Sequence, residues 1–263
     1  MFDRFWASLI FFTRLPFWRL HQPRRESYSA VVEFWPLTGW LIGGVMAGTL
    51  YFGSLHLPYL VAVLLAIVVR LLVTGALHED GLADFLDGFG GGGNDRQRIL
   101  DIMKDSHIGT YGVIGLILYH LLLAAALYSM TPTMAALTIL AATPFARMVT
   151  AQFVLMMPYA RNEESAKNRT VYRKFSTIAG ISLAIQGLLP LGLVVYSSQF
   201  TVHSSQLYML IFVPCIVMYF LYLLIWNKLR GYTGDCLGAV CLLVELTVYL
   251  TVVSLEFTVN GEL

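Results

Sequence analysis

Apolar runs of about twenty residues recur along the chain, separated by short polar stretches. They predict helices near 34–53, 57–77, 108–130, 133–157, 177–198, 206–226 and 237–257. A helix rises about 1.5 Å per residue, so each run reaches across a hydrocarbon core of about 30 Å. The first run carries Pro36 and several glycines, which predicts a kinked or partly re-entrant helix. Residues 1–16 are too short to span. They are aromatic, with Arg4 and Arg14 near the ends, and predict an interfacial helix. A secretory signal would need a small-residue cleavage pattern after Phe12, and none follows. The pattern therefore predicts an all-α polytopic bundle of about seven transmembrane helices. It forms one membrane-embedded domain over 1–263, with an interfacial segment at 1–30 and an acidic helical loop at 78–107.

Composition supports this class. Hydrophobic residues make up 57% of the 263 positions and charged residues only 13%, against about 25% charged in soluble domains. A net charge of +1 excludes the basic excess that nucleic acid requires. Lys and Arg number 5, 0, 3, 0, 5, 0, 2 and 0 in the successive segments outside the runs. The positive-inside rule then predicts a cytoplasmic N-terminus, with loop 78–107 on the cytoplasmic side. Cys215, Cys236 and Cys241 have no metal spacing and read as small buried hydrophobes.

The densest polar feature is LHEDGLADFLDGFGGGG at 77–93. On a helix, Asp80, Asp84 and Asp87 fall at i, i+4 and i+7, one face. Carboxylates stacked this way repel unless a cation joins them. Mg²⁺ characteristically bridges one or two carboxylates to substrate phosphates. The alternative is a solvated acidic helix end. The glycines that follow lack the Lys-Ser/Thr pair of a P-loop and predict a flexible turn. Beyond it Asp101 and Asp105 share a second helix face, with Lys104 between them. Metal-held carboxylates beside an acid that takes a proton suit displacement at phosphorus. Asp105 is the expected general base and His78 its competitor.

Other candidates are scattered. Arg70, Arg147 and Glu245 fall inside apolar runs, where an ionised residue costs about 2.5–3.5 kcal/mol. Arg147 reads either as a substrate phosphate ligand or as the partner of Glu245. Asp235, in RGYTGDCLG, reads as an N-cap or as a ligand to metal or ribose.

HEDGLADFLDGFGGG followed by IMKDSHIGTYG resembles the signature of the adenosylcobinamide-GDP ribazoletransferase, or cobalamin synthase, family. TRLP at 13–16, FWPLTGWLIGG at 34–44, YAR at 159–161 and GYTGDCLGA at 231–239 resemble its further motifs in order. The resemblance implies Mg²⁺-dependent transfer of the phosphocobinamide group of adenosylcobinamide-GDP onto α-ribazole or its 5′-phosphate, releasing GMP. It implies a multi-pass protein of the bacterial or archaeal cytoplasmic membrane, with its active site facing the cytoplasm. It assigns Asp80, Asp84, Asp87 and Asp101 to Mg²⁺, and Arg14, Lys104, Arg161 and Asp235 to substrate. The lipid bilayer is an expected partner, as is a homo-oligomer or a complex with other corrinoid enzymes. Glu79 and His107 depart from the family pattern. D84-x2-D87-G with D101-x3-D105 is also similar to CDP-alcohol phosphotransferases, the alternative within enzymes. A cation transporter is the alternative outside them.

Overall fold

The computed structural model describes residues 1–161, 172–196 and 208–260. The described residues form helices and turns, with one isolated β-bridge between Tyr159 and Tyr232. The expected runs become α2 (Trp35–Ser54), α3 (Tyr59–Thr74), α6 (Thr110–Tyr128), α7 (Pro132–Ala151), α9 (Thr177–Tyr196), α10 (Met209–Leu229) and α11 (Gly234–Asn260). The N-terminal helix is α1 (Phe2–Phe12), and the acidic stretch forms α4 (Leu77–Gly91) and α5 (Arg96–Ile102). A single short turn, α8 (Phe153–Met156), follows α7. Among the described residues, six helices are long and apolar enough to cross a membrane, or seven if the bent α3–α4 pair is one span. The protein is an all-α polytopic membrane protein.

The helices sort by what they touch. α2, α7 and α11 are mostly buried and form the centre of the bundle. α6, α9 and α10 expose rows of Ile, Leu and Phe, the surface that lipid covers. Pro36 falls in the first turn of α2, where the missing N–H has no intrahelical partner to lose. The expected kink therefore does not arise there.

The break comes instead between α3 and α4. At 16 residues α3 is roughly 24 Å long, short of a full crossing. The chain then turns by 90° into α4. Gly75 (φ 64°) and Ala76 (φ 55°) make this turn in the left-handed region, which glycine enters without strain. A side chain at Gly75 would also collide with Arg14, which lies across the corner and whose amide donates to the Val73 carbonyl at 2.7 Å.

The α4 part of the acidic stretch is thus packed into the bundle, whereas residues 93–98 and 104–108 are exposed. α4 packs between α11 and α6, with His78, Glu79 and Asp87 buried. Its crossing with α11 is close because Gly81 lies against the Asp235 backbone and Gly238 against that of His78. A Cβ at Gly81 would stand 3.1 Å from Asp235 Cα. The glycine turn after α4 is pinned, since Lys228 Nζ donates to the carbonyls of Phe89 (3.2 Å) and Gly93 (2.8 Å).

Candidate active site

The α4–α11 crossing opens into a cavity of about 120 Å³. Phe12, Trp35, His78, Asp80, Tyr172 and Asp235 are among its walls. They come from α1, α2, α4, the segment before α9, and α11. Asp84 follows Asp80 by one turn on the same face of α4. Asp235 sits in the first turn of α11, where the helix dipole favours negative charge. It is not the N-cap, one of its two readings from the sequence. Thr233 does that work: its Oγ1 accepts the amide of Cys236 at 3.2 Å.

A second hollow, of about 280 Å³, is lined by Arg96, Gln97, Asp101, Lys104 and Arg161 among others. Arg161 reaches it because residues 158–160 and 232 bond to one another: Ala160 N–H donates to Tyr232 O at 2.8 Å and Tyr232 N–H to Pro158 O at 3.0 Å. The YAR and GYTGD segments are therefore one structural unit. Burial raises the Tyr159 phenol above its ordinary range, while Arg161 and Asp235 pull in opposite directions. Tyr159 thus lies near one residue from each hollow.

The expected trio of metal acids is not met in that form. Asp87 turns toward α6, and its two oxygens accept the amides of Gly109 (2.7 Å) and Gly112 (2.9 Å). It caps α6, a side-chain role that offsets the helix's unpaired amides. Asp101 accepts from Gln97 Nε2 at 2.9 Å and lies in the hollow with three cations, away from the Asp80 cavity. Asp105 is exposed and accepts from the amide (3.0 Å) and ring Nδ1 (2.7 Å) of His107. The ring hydrogen bond holds its carboxyl below the ordinary range, helped by the amide. Asp105 does not reach the cavity, whereas His78 lines it.

Arg147 and Arg70 are buried and face Glu245, whose Oε1 is 3.0 Å from Arg70 Nη1 and whose Oε2 is 3.5 Å from Arg147 Nη1. Thr143 and Tyr249 hydroxyls donate to the same carboxylate at 3.0 and 2.7 Å. Glu79 joins from α4, 3.7 Å from Arg70 Nε. Of the two readings of Arg147, the structure supplies the ion pair. Arg14 lies at the α3–α4 corner. Lys167 and Arg169, two of the five basic residues counted between the fourth and fifth runs, fall outside the described residues. Sequence reasoning missed Phe12, Trp35 and Tyr172, although the first two stand beside or within the TRLP and FWP motifs.

Among the described residues no three of His, Cys, Asp and Glu come together as metal ligands. A cation in the cavity therefore draws one or two carboxylates from the chain and fills its other positions with phosphate and water. Mg²⁺ is bound in this way, and Asp80 and Asp235, the carboxylates that line the cavity, suit it.

A model of the family described as cobalamin-5-phosphate synthase matches residues 4–253, from α1 through most of α11. The chain belongs to this family. Relatives called adenosylcobinamide-GDP ribazoletransferase include one from Leptospira interrogans, 33% identical over 252 residues, covering 94% of each chain. One from Leptothrix cholodnii is 36% identical over 257 residues, covering 94% of this chain and 93% of its own. One from Shewanella frigidimarina is 31% identical, covering 95% and 94%. No solved structure matches. Like other members of the cobalamin-5-phosphate synthase family, this chain is a transferase, and both hollows lie within the matched residues.

Proposed function

We propose that the chain transfers the phosphocobinamide group of adenosylcobinamide-GDP to α-ribazole or its 5′-phosphate, with Mg²⁺, at the cytoplasmic face of a bacterial or archaeal inner membrane. The observation that carries this reading is the pair Asp80 and Asp235, facing one cavity at a crossing tight enough to require glycine. The cytoplasmic orientation rests on the alternation of Lys and Arg along the chain.

Asp80 and Asp235 would hold the ion. When bound, Mg²⁺ neutralises the diphosphate and the charge that develops on the leaving group. The rest is positioning, which dominates phosphoryl transfer. A ribose hydroxyl of the acceptor attacks the phosphorus bearing the cobinamide. A new P–O bond forms, the P–O–P bond breaks, and the bridging oxygen leaves with GMP. His78 shares the cavity with the acids and is the group within reach to take the hydroxyl proton. Lys104 and Arg161 line the basic hollow and suit the guanosine phosphate.

Cation transport fits less well. The deeply buried acids Glu79 and Glu245 face Arg70 and Arg147, cations of the chain itself. The test is GMP release by the purified protein from adenosylcobinamide-GDP. Release is expected only with both Mg²⁺ and an acceptor present, and running α-ribazole against its 5′-phosphate identifies the acceptor. GMP formed at the same rate without an acceptor would defeat the reading.

A further inference from the structure

The cavity has a second character besides its acids. Phe12, Trp35 and His78 come from three different helices, yet their rings lie parallel. The interplanar angles are 10° for Phe12–Trp35, 9° for Phe12–His78 and 12° for Trp35–His78. The centroids are 5.0, 6.1 and 5.8 Å apart. Neighbouring pairs do otherwise: Phe11 meets Phe12 at 81° and Tyr172 at 84°, edge to face. All three rings of the panel are nine-tenths or more buried. The indole Nε1 of Trp35 and both ring nitrogens of His78 have no hydrogen-bond partner among the described residues. Native interiors rarely leave such groups unpaired.

Flat faces, buried N–H groups and a hollow of about 120 Å³ define a ligand. An apolar cavity of about 150 Å³ takes one benzene; this one is slightly smaller but partly open, so it takes one ring of a flat ring system with the rest at its mouth, and not a whole nucleotide or a corrin. Two rings are on offer if the proposed reaction is right, and this inference rests on that reading. Guanine carries donors and acceptors on most of its edges and would need several matching partners. The benzimidazole of ribazole is apolar apart from one bare ring nitrogen, which a single N–H satisfies.

We propose that the Phe12–Trp35–His78 panel is the binding site for the benzimidazole base of the acceptor, which sets its ribose beside Asp80 and Asp235. The guanosine end of the donor then belongs to the basic hollow of Lys104 and Arg161. The panel also becomes the determinant of which bases the enzyme accepts.

Equilibrium dialysis of radiolabelled α-ribazole against the detergent-solubilised protein, without donor, tests this directly. Stacking of a base on an aromatic side chain is worth about 1–3 kcal/mol, so Phe12→Leu and Trp35→Ala should each weaken binding about 5- to 150-fold. Trp35→Phe, which keeps a ring but loses Nε1, should fall between these and wild type, and it serves where Trp35→Ala fails to fold. In turnover the same variants should raise the acceptor KM and leave the donor KM within about twofold. Guanosine should not displace α-ribazole. Unchanged acceptor binding in folded Phe12→Leu and Trp35→Phe would make the panel core packing. Displacement by guanosine, or a raised donor KM instead, would give the panel to the donor. Panel-dependent binding without GMP release would keep this inference and sink the proposed reaction.

Discussion

Glu79 and Asp80 are neighbours in the chain and opposites in the structure. Successive helical residues point about 100° apart, so α4 sends Glu79 inward to Arg70 and Asp80 outward to the cavity. The inward region, with Arg70, Arg147 and Glu245, has its charges matched by the protein itself. The outward region gathers Asp80 and Asp235 in one cavity, with Asp84 one turn from Asp80 on the same face of α4. An acid in the first region holds helices together, and Asp80 and Asp235 in the second line the cavity. Clustering in sequence does not distinguish them; the neighbour that each meets does.

The comparison breaks most visibly at Glu245. Glu245→Gln leaves two buried guanidinium groups with a diminished partner. Loss of one member of a buried pair costs about 3–5 kcal/mol, so this variant should extract poorly and unfold at markedly lower temperature. Unchanged thermal unfolding would show that the cluster is dispensable.

Asp80→Asn and Asp235→Asn should do the reverse. Each should lower kcat/KM by more than about 100-fold, beyond what loss of a group that only orients a metal ligand costs, while the protein still folds. Glu79→Gln is the control on the same turn: its folded fraction should turn over normally and be less stable.

Asp87→Ala sharpens the boundary between the regions. As a cap it should cost about 1 kcal/mol of stability, with turnover reduced only through folding. A collapse of kcat in fully folded protein would return Asp87 to the metal.

The smallest effect is expected at Asp105. Its carboxyl is held low by His107, so its contribution to stability is complete above the ordinary carboxylate range and is lost as pH falls through the lowered pKa. Asp105→Asn should leave the pH–rate profile at neutral pH where it is, whereas His78→Asn should flatten its acidic limb.

Much of this was legible beforehand. The seven apolar runs appear as helices within a few residues, since spans of about twenty apolar residues have few alternatives. The stretch 77–91, read as a carboxylate-bearing helix, also forms one. What the sequence hid were the three-dimensional partners. Asp80, Asp84 and Asp87 share a helical face by register, yet Asp87 is taken by the amides of α6, and Asp235, 155 positions after Asp80, takes its place. The corner at Gly75 and Ala76 hid inside an apolar run that reads as one continuous span. Trp35 was noticed only as a motif letter and Phe12 only as the neighbour of one, because ring orientation has no signature in sequence.

The central claim is that Asp80, unlike its neighbour Glu79, faces the reaction. The direct measurement is GMP release from adenosylcobinamide-GDP and α-ribazole by wild type, Glu79→Gln and Asp80→Asn, titrated with Mg²⁺ at equal amounts of folded protein. The account predicts that Glu79→Gln follows the wild-type curve and that Asp80→Asn stays near zero or needs far more Mg²⁺. Asp80→Asn turning over at the wild-type rate and the wild-type Mg²⁺ requirement would contradict it.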